Sequence, residues 1–249
     1  GRTAYVANSG SDTVTPIDTA TGHAGPPIPV GVNPRAITVT PDGQTAYVLD
    51  WGGGSVTPID VATGRAGPAI RTGSFPFAIA ISPGGRTAYV ANYGSDTVTP
   101  ITIATGRAGR PVPAGYAPDA LAVTPGGQAV YAVDGNSDTV TPIAAAAGRP
   151  RRPIPVGYSP VAAAMSGSTA YVVSTISGTV TPLDTATGRA GRPISVGLYA
   201  YPTGLVLAGT TAVVLDSYAG QVSLIDTRTQ HAFAPITVGS YPDAVAVSG

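Results

Sequence analysis

The 249-residue sequence contains no cysteine, no lysine and no glutamate. Without cysteine there are no disulfides, no thiol chemistry and no Cys-ligated metal sites. Thirteen arginines balance thirteen aspartates, and a net charge of zero argues against a general nucleic-acid binder, which needs a basic surplus. No apolar run approaches the length of a membrane span. The sequence begins at Gly1 without Met or a signal peptide, which we expect of a processed precursor.

Small and β-branched residues dominate what is present. Apolar residues make up 43% of the chain, with 33 glycines and 25 prolines. This composition favours short β-strands joined by tight turns over helices. The length suffices for a sizeable core.

One stretch of about twenty residues occurs twice in nearly identical form, as "TAYVANSGSDTVTPIDTATG" from Thr3 and "TAYVANYGSDTVTPITIATG" from Thr87. Related segments begin at residues 45, 129, 169 and 211, so six copies of about 40 residues use the whole chain. No linker or second domain remains, and we predict a single domain over residues 1–249. Each copy reads as four short strands, which is typical of a β-propeller blade.

Proline positions refine this prediction. The Pro-bearing "PIPV" segment suits an outermost edge strand, where a missing N–H costs little. The proline of "TVTP" lies in the third strand, where we expect a bulge or a truncated hydrogen-bond ladder.

The motifs "AYVANSGSDTVTPIDTATG", "PIPVG" and "AITVTPDG" resemble the YVTN family of β-propeller repeats, over essentially the whole chain. The resemblance implies an extracytoplasmic or surface-layer protein, with the "AITVTPDG" strand innermost. Members of the family commonly have seven blades, whereas this sequence has six copies. The chain opens on a second strand and ends on an inner-strand sequence, so we expect residues 244–248 to complete the blade formed by residues 3–30. The predicted fold is an all-β, six-bladed propeller closed by its C-terminal strand.

Ten of the sixteen aromatic residues fall in two sets of turns that should emerge on one side, here called the top turns: the turn after each second strand and the turn before each inner strand. They are Trp51, Phe75, Phe77, Tyr93, Tyr116, Tyr158, Tyr199, Tyr201, Tyr218 and Tyr241. One interpretation is a stacking surface for a sugar, an aromatic molecule or a partner protein. The alternative is that the rings fill the channel mouth or pack on neighbouring loops. By contrast, the tyrosines at positions 5, 47, 89, 131 and 171 recur in the second strand and should pack between blades.

Charge is also unevenly distributed. Eight aspartates fall in the top turns or at their borders against Arg35 alone, whereas most arginines fall in the opposite turns. We therefore predict an acidic top face. Three of these aspartates (12, 96 and 138) share one turn position and should be turn-forming residues.

Three other aspartates, Asp50, Asp134 and Asp216, end second strands in alternate copies. Carboxylates of this kind can hold Ca²⁺ in a channel. Aspartate also suits the turn at this position, and we favour this structural role over Ca²⁺ binding. No metal or other cofactor is therefore predicted.

The residue after the conserved proline of the inner strand varies between copies and should lie nearest the channel. The six positions hold Arg35, Phe77, Asp119, Val161, Thr203 and Asp243. Asp119 and Asp243 could act as paired carboxylates, with Arg35 orienting an anionic group. A water-filled channel without a ligand is the alternative.

Neither histidine, His23 or His231, falls in the top turns, which excludes Ser–His–Asp, Cys–His and zinc catalysis there. Two functions remain. The favoured one is a monomeric propeller that binds a small molecule, carbohydrate or protein through its aromatic, acidic top turns. The other is a propeller enzyme, a lyase, cyclase or lactonase-like hydrolase, that uses Asp, Tyr and Arg, with or without a channel metal.

Overall fold

The computed structural model describes residues 2–197 and 200–247, which form six antiparallel β-sheets, each built from consecutive strands of the chain. The chain divides into two compact units, Gly1–Pro113 and Ala114–Gly249, with three sheets in each.

The first unit contains sheets 1 to 3. Sheet 1 consists of β1 (Thr3–Asn8), β2 (Thr13–Asp18) and β3 (Ile28–Pro29). Sheet 2 consists of β4 (Pro34–Val39), β5 (Thr45–Asp50), β6 (Ser55–Asp60), β7 (Arg65–Ala66) and β8 (Ile70–Arg71). Sheet 3 consists of β9 (Pro76–Ile81), β10 (Thr87–Asn92), β11 (Thr97–Thr102), β12 (Arg107–Ala108) and β13 (Val112–Pro113), with a 3₁₀ turn at Ile103–Thr105.

The second unit contains sheets 4 to 6. Sheet 4 consists of β14 (Pro118–Val123), β15 (Ala129–Asp134), β16 (Thr139–Ala144), β17 (Arg149–Pro150) and β18 (Ile154–Pro155). Sheet 5 consists of β19 (Pro160–Ser166), β20 (Thr169–Ser174), β21 (Thr179–Asp184), β22 (Arg189–Ala190) and β23 (Ile194–Ser195). Sheet 6 consists of β24 (Pro202–Ala208), β25 (Thr211–Asp216), β26 (Gln221–Asp226), β27 (His231–Ala232) and β28 (Ile236–Thr237).

The six second strands begin at the residues where the six sequence copies begin, which confirms the predicted repeat. In sheets 2 to 6 the inner strand pairs with the second, the second with the third, and the third with two short outer strands. The expected truncated ladder is found at the third-strand prolines. In sheet 2, β8 pairs with β6 at Ser55–Val56 and β7 at Ile59–Asp60, and Pro58 lies between the two pairings.

The core of each unit lies between successive sheets and is built from the second and third strands. In the second unit, Tyr131 and Tyr171 are 2% and 1% exposed and donate hydrogen bonds to the carbonyl oxygens of Thr185 and Thr227 in the following sheet. Tyr47 and Tyr89 are buried in the first unit. The predicted packing role of these tyrosines is therefore confirmed.

The structure differs from the prediction at the C-terminal segment. Residues 242–247 form no strand, Ser248 lies outside the described residues, and sheet 1 accordingly has three strands instead of four. Val247 is 42% exposed. A segment without a buried face lacks the packing that fixes a strand in register.

The open side of β1 gives a prediction for amide exchange. The sequence TAYVAN occurs in both β1 and β10, but β10 lies between two strands whereas β1 pairs only with β2. We expect the unpaired amides of β1 to exchange on the order of tenfold faster or more, because local opening there breaks fewer contacts. Hydrogen–deuterium exchange of the two peptides measures this difference, with their common sequence as the control. Equal protection would show that another strand covers β1, as the sequence prediction requires.

Candidate functional site

The two kinds of top turn meet in sheets 2 to 5. Gly52 N–H donates to the Val32 carbonyl oxygen (3.0 Å) in sheet 2, and Gly94 N–H donates to the Ser74 carbonyl oxygen (3.0 Å) in sheet 3. The same pairing occurs in sheets 4 and 5. Both turns therefore emerge at the same end of a sheet, and residues from both can contribute to one site.

The residue after the inner-strand proline lies at a bulge. In sheets 2 to 6 the register between inner and second strands skips one residue each, namely Arg35, Phe77, Asp119, Val161 and Thr203. A bulge of this kind redirects a side chain out of the regular alternation. The position is structurally distinct, as its sequence variation suggested, although Asp243 belongs to the segment without a strand.

The residue before that proline has a left-handed backbone in every copy. The φ angles lie between 47° and 53° at Asn33, Phe75, Ala117, Ser159, Tyr201 and Tyr241. This conformation is unusual for bulky aromatic residues, and strained backbone of this kind concentrates at ligand sites.

The last residue of the turn after the second strand varies together with the residue before the inner-strand proline. The last residue of the turn after the second strand is also left-handed, and it is aspartate at 12, 96 and 138 but glycine at 54, 178 and 220. Asp12 accepts a hydrogen bond from Asn33 N–H (2.7 Å), and Asp138 accepts one from Ser159 N–H (2.8 Å). The prediction that these aspartates form turns is confirmed.

Where glycine replaces the aspartate, the residue before the proline is aromatic. Asp12, Asp96 and Asp138 accompany Asn, Ala and Ser, whereas Gly54, Gly178 and Gly220 accompany Phe75, Tyr201 and Tyr241. Three of the six turns thus lack a carboxylate beside the residue before the proline, and in these three that residue is aromatic.

Two of these aromatic turns form a cavity in the second unit. Tyr218 contacts Tyr201 and Tyr241, with ring centroids 5.5 Å and 6.2 Å apart and the rings edge to face. The three rings are 64%, 41% and 67% exposed, respectively. With Thr175, Thr203 and Ser217 they line a cavity of about 770 Å³, here called the tyrosine cavity.

Hydroxyl groups form the polar part of the tyrosine cavity. The Thr203 and Ser217 hydroxyls lie 2.6 Å apart, and the Ser217 hydroxyl donates to the Pro242 carbonyl oxygen (2.6 Å). The Thr175 hydroxyl donates to the Pro202 carbonyl oxygen (2.7 Å). Sequence reasoning missed Thr175 and Ser217, because threonine and serine are common in all these turns.

The aromatic residues in the top turns of the first unit form two separate pairs. Trp51 and Phe75 have ring centroids 4.7 Å apart, and Phe77 and Tyr93 have centroids 5.6 Å apart. The Arg35 guanidinium carbon lies 4.1 Å above the Phe77 ring, a cation–π contact.

The other predicted site residues that the structure describes are not among the residues that line the tyrosine cavity. Tyr116 and Tyr158 are 68% and 66% exposed, and neither lines the tyrosine cavity. The Asp119 carboxylate lies against Gly135. Asp243 is exposed, and Tyr199 lies outside the described residues.

The aspartates that end second strands are buried structural groups. Asp50 is fully buried and accepts hydrogen bonds from Gly31 N–H (3.1 Å), the Ser55 hydroxyl (3.0 Å) and the Thr57 hydroxyl (2.7 Å). Asp134 accepts hydrogen bonds from two threonine hydroxyls in the same way. These carboxylates join the second strand to the third, and no cluster of three metal-ligating side chains occurs among the described residues.

Asp216 has fewer partners than Asp50. Its carboxylate accepts a hydrogen bond from the Ser223 hydroxyl (2.6 Å), but its Oδ1 atom has no hydrogen-bond partner among the described residues. Gln221 stands where Ser55 stands in sheet 2, which removes one hydroxyl donor. Burial raises the pKa of Asp216 to about 6, and the Ser223 hydrogen bond only partly opposes this rise.

The burial of these aspartates changes the predicted charge of the top turns. Asp50, Asp134 and Asp216 are 0% exposed, and the carboxylates of Asp12 and Asp138 are bound to backbone N–H groups. Aspartate counts therefore overestimate how acidic the accessible surface is. No charged side chain lines the tyrosine cavity among the described residues.

Several solved structures resemble the chain. Hydrazine synthase of Kuenenia stuttgartiensis is 21% identical, with a TM-score of 0.78 over 97% of this chain and 85% of that one. Virginiamycin B lyase of Staphylococcus aureus is 13% identical, with a TM-score of 0.78 over 95% and 80%. The computationally designed Ika8 protein is 17% identical, with a TM-score of 0.85 over 100% and 76%.

These similarities establish the fold alone. The six repeated sheets and the propeller structures they match identify the chain as a six-bladed β-propeller, as predicted. No protein-family model matches the sequence, and the search of curated proteins found no match. The YVTN resemblance therefore stays a prediction. Among the described residues, no helix has the length and apolar character to cross a membrane.

Proposed function

We propose that this propeller is a binding module and that the tyrosine cavity takes a neutral, hydroxyl-rich ligand such as a short carbohydrate. The observation that carries the proposal is the convergence of three exposed tyrosine rings on one cavity that also contains three side-chain hydroxyls. Exposed aromatic clusters of this kind mark interaction sites in soluble proteins.

The chemistry of the cavity supports a sugar ligand. Tyrosine rings offer flat apolar faces for the C–H surfaces of a sugar ring, and their hydroxyls remain available for hydrogen bonds. A cavity of about 770 Å³ lies in the size range of ordinary small-molecule sites. Because no charged side chain lines it among the described residues, the cavity should not favour an ionic ligand. An acidic face would instead favour cationic ligands.

A wider binding surface is part of the same proposal. Tyr116 and Tyr158, which are exposed in the same unit, would offer further rings to a longer saccharide or a protein partner. An extracytoplasmic location, implied by the YVTN resemblance, would suit such a role.

The second candidate is a propeller enzyme. Asp119 and Arg35 occupy the bulged position in different sheets, where side chains are redirected from the strand, and virginiamycin B lyase shows that the fold can carry a lyase. The tyrosine cavity contains no carboxylate or imidazole for proton transfer among its described lining residues, so binding is the better-supported function.

Replacing Tyr218 by alanine should weaken carbohydrate binding roughly 5-fold to 10-fold, because Tyr218 contacts both other rings and each stacked aromatic contributes about 0.5–1.5 kcal/mol beyond its buried area. Isothermal titration with neutral oligosaccharides measures the change. Phe233→Ala is the matched control, since Phe233 is 50% exposed in the same unit, contacts His231 edge to face and does not line the cavity. Equal binding by wild type and Tyr218→Ala, or no saccharide binding at all, would contradict the proposal.

A further inference from the structure

A second cavity lies wholly within the first unit. Its volume is about 400 Å³, and its walls are the Trp51–Phe75 ring pair, Arg71 and a backbone rich in glycine. The residues that line it are Trp51, Gly52, Gly53, Gly54, Arg71, Thr72, Gly73, Ser74 and Phe75. We call it the tryptophan cavity.

Arg71 gives the tryptophan cavity a charge that the tyrosine cavity lacks. This residue ends the short outer strand β8, opposite Ser55, and is exposed. Within the part of the chain that the structure describes, the one ion pair is Arg228 with Asp226, so Arg71 has no carboxylate partner there. A guanidinium can bind a carboxylate through two parallel hydrogen bonds.

Gly54 removes the negative charge that equivalent turns carry. The matching position holds aspartate in three other copies, with a left-handed backbone in each case (φ 55° to 56°, against 63° at Gly54). An aspartate here would place its carboxylate beside the residue before the proline, as Asp12 does beside Asn33. Glycine leaves Arg71 as the charged side chain of the cavity.

The neighbouring carboxylate is turned away from this space. Asp50 precedes Trp51, but its oxygens accept hydrogen bonds from Gly31 N–H, Ser55 and Thr57 inside the sheet. Burial raises the pKa of Asp50, and the three hydrogen bonds oppose this rise. The cavity therefore combines apolar ring surface with one accessible positive charge.

We propose that the tryptophan cavity binds a ring-shaped ligand that carries one carboxylate. The ring lies against Trp51 and Phe75, and the carboxylate pairs with Arg71. Sugar acids and aromatic carboxylates share this chemistry. This site is separate from the tyrosine cavity and does not depend on the function proposed for it.

The fluorescence of Trp51, the sole tryptophan, reports the site directly. D-glucuronate and benzoate are titrated in parallel, with D-glucose as the uncharged ring and acetate as the carboxylate without a ring. We expect saturable changes with one or both ring carboxylates. Responses should be at least roughly tenfold weaker to glucose, which lacks the charge that Arg71 binds, and to acetate, which lacks the ring that Trp51 and Phe75 contact. The two ring carboxylates distinguish a sugar acid from an aromatic acid as the natural ligand class.

Substitutions at Arg71 and Gly54 test the charge. Arg71→Ala should weaken ring-carboxylate binding roughly tenfold or more. Gly54→Asp should weaken it similarly, whereas Gly54→Asn should not. Both replacements place the same Cβ atom 3.0 Å from the Gly73 carbonyl oxygen, and both residue types tolerate a left-handed backbone, so they differ in charge alone.

The outcomes separate this site from the tyrosine cavity. Tyr218→Ala should leave the Trp51 response to ring carboxylates unchanged even if it abolishes binding of neutral saccharides. The inference is overturned if no ring carboxylate changes Trp51 fluorescence, if glucose or acetate binds equally well, or if Arg71→Ala binds as wild type does.

Discussion

Replacing Gly31 by alanine is expected to destabilise the protein by about 2–3 kcal/mol. A Cβ atom at Gly31 would lie 2.7 Å from the Cβ of buried Asp50 and in contact with its carboxylate carbon. Gly31 N–H also donates to that carboxylate, so a shift of either group weakens the hydrogen bond and moves Asp50 away from Thr57. The free energy of unfolding in urea measures the loss.

Gly239→Ala is the matched control. Gly239 occupies the equivalent position in the sixth copy, but no atom lies within 4 Å of a Cβ built there. Alanine should be neutral at this position or stabilising by roughly 0.4–1 kcal/mol, through the lower entropy of the unfolded chain. Equal effects of the two substitutions would show that the Gly31–Asp50 contact does not limit stability.

The second large effect is a loss of stability as the pH rises from about 4 to about 6. Burial raises the pKa of Asp216 to about 6 in the folded protein, above the usual aspartate value of 3.8. The folded state therefore holds a proton that the unfolded state releases, and stability falls as the pH approaches the folded pKa. A shift of this size corresponds to at most about 3 kcal/mol. We expect about 1–2 kcal/mol from Asp216, because local relaxation reduces the full value.

Asp216→Asn should remove this part of the pH dependence and raise stability at pH 7. Asparagine is compatible with the site, since Asn92 occupies the equivalent position in sheet 3, where it is fully buried and donates to the hydroxyls of Thr97 and Thr99. Thermal melts at several pH values compare the variant with wild type. Asp50→Asn is the comparison variant, because the pKa of Asp50 is also raised by burial but three donors oppose the rise. An unchanged pH profile for Asp216→Asn would contradict the assignment.

The repeat made most of the fold predictable. Each second strand begins where the sequence copy begins, and in sheet 2 the third strand carries Pro58 between two short outer pairings. Period-2 alternation and turn residues at fixed offsets are local signals, so they can be read without knowing which strands meet.

The candidate site was only partly predictable. The aromatic residues of the top turns were identified, but the sequence treated them as one set, whereas Tyr201, Tyr218 and Tyr241 form one cluster and Trp51 and Phe75 form a separate pair. Arg71 was not assigned to a site, because an edge-strand arginine gives no sign of the cavity it lines. The sequence does contain one further indication of these sites: where glycine replaces the turn aspartate, the residue before the inner-strand proline is aromatic.

The sequence by itself determined the number of sheets, the starts of their strands and the turn positions that hold aromatic side chains, because these follow from local periodicity repeated six times. Tertiary structure decided which rings meet, which aspartates are accessible and whether the last segment forms a strand. Asp50 and Asp216 look alike in the sequence, yet one carboxylate has three donors and the other has one. Burial, pKa and contact depend on residues that are distant in the chain, and local pattern does not encode those distances.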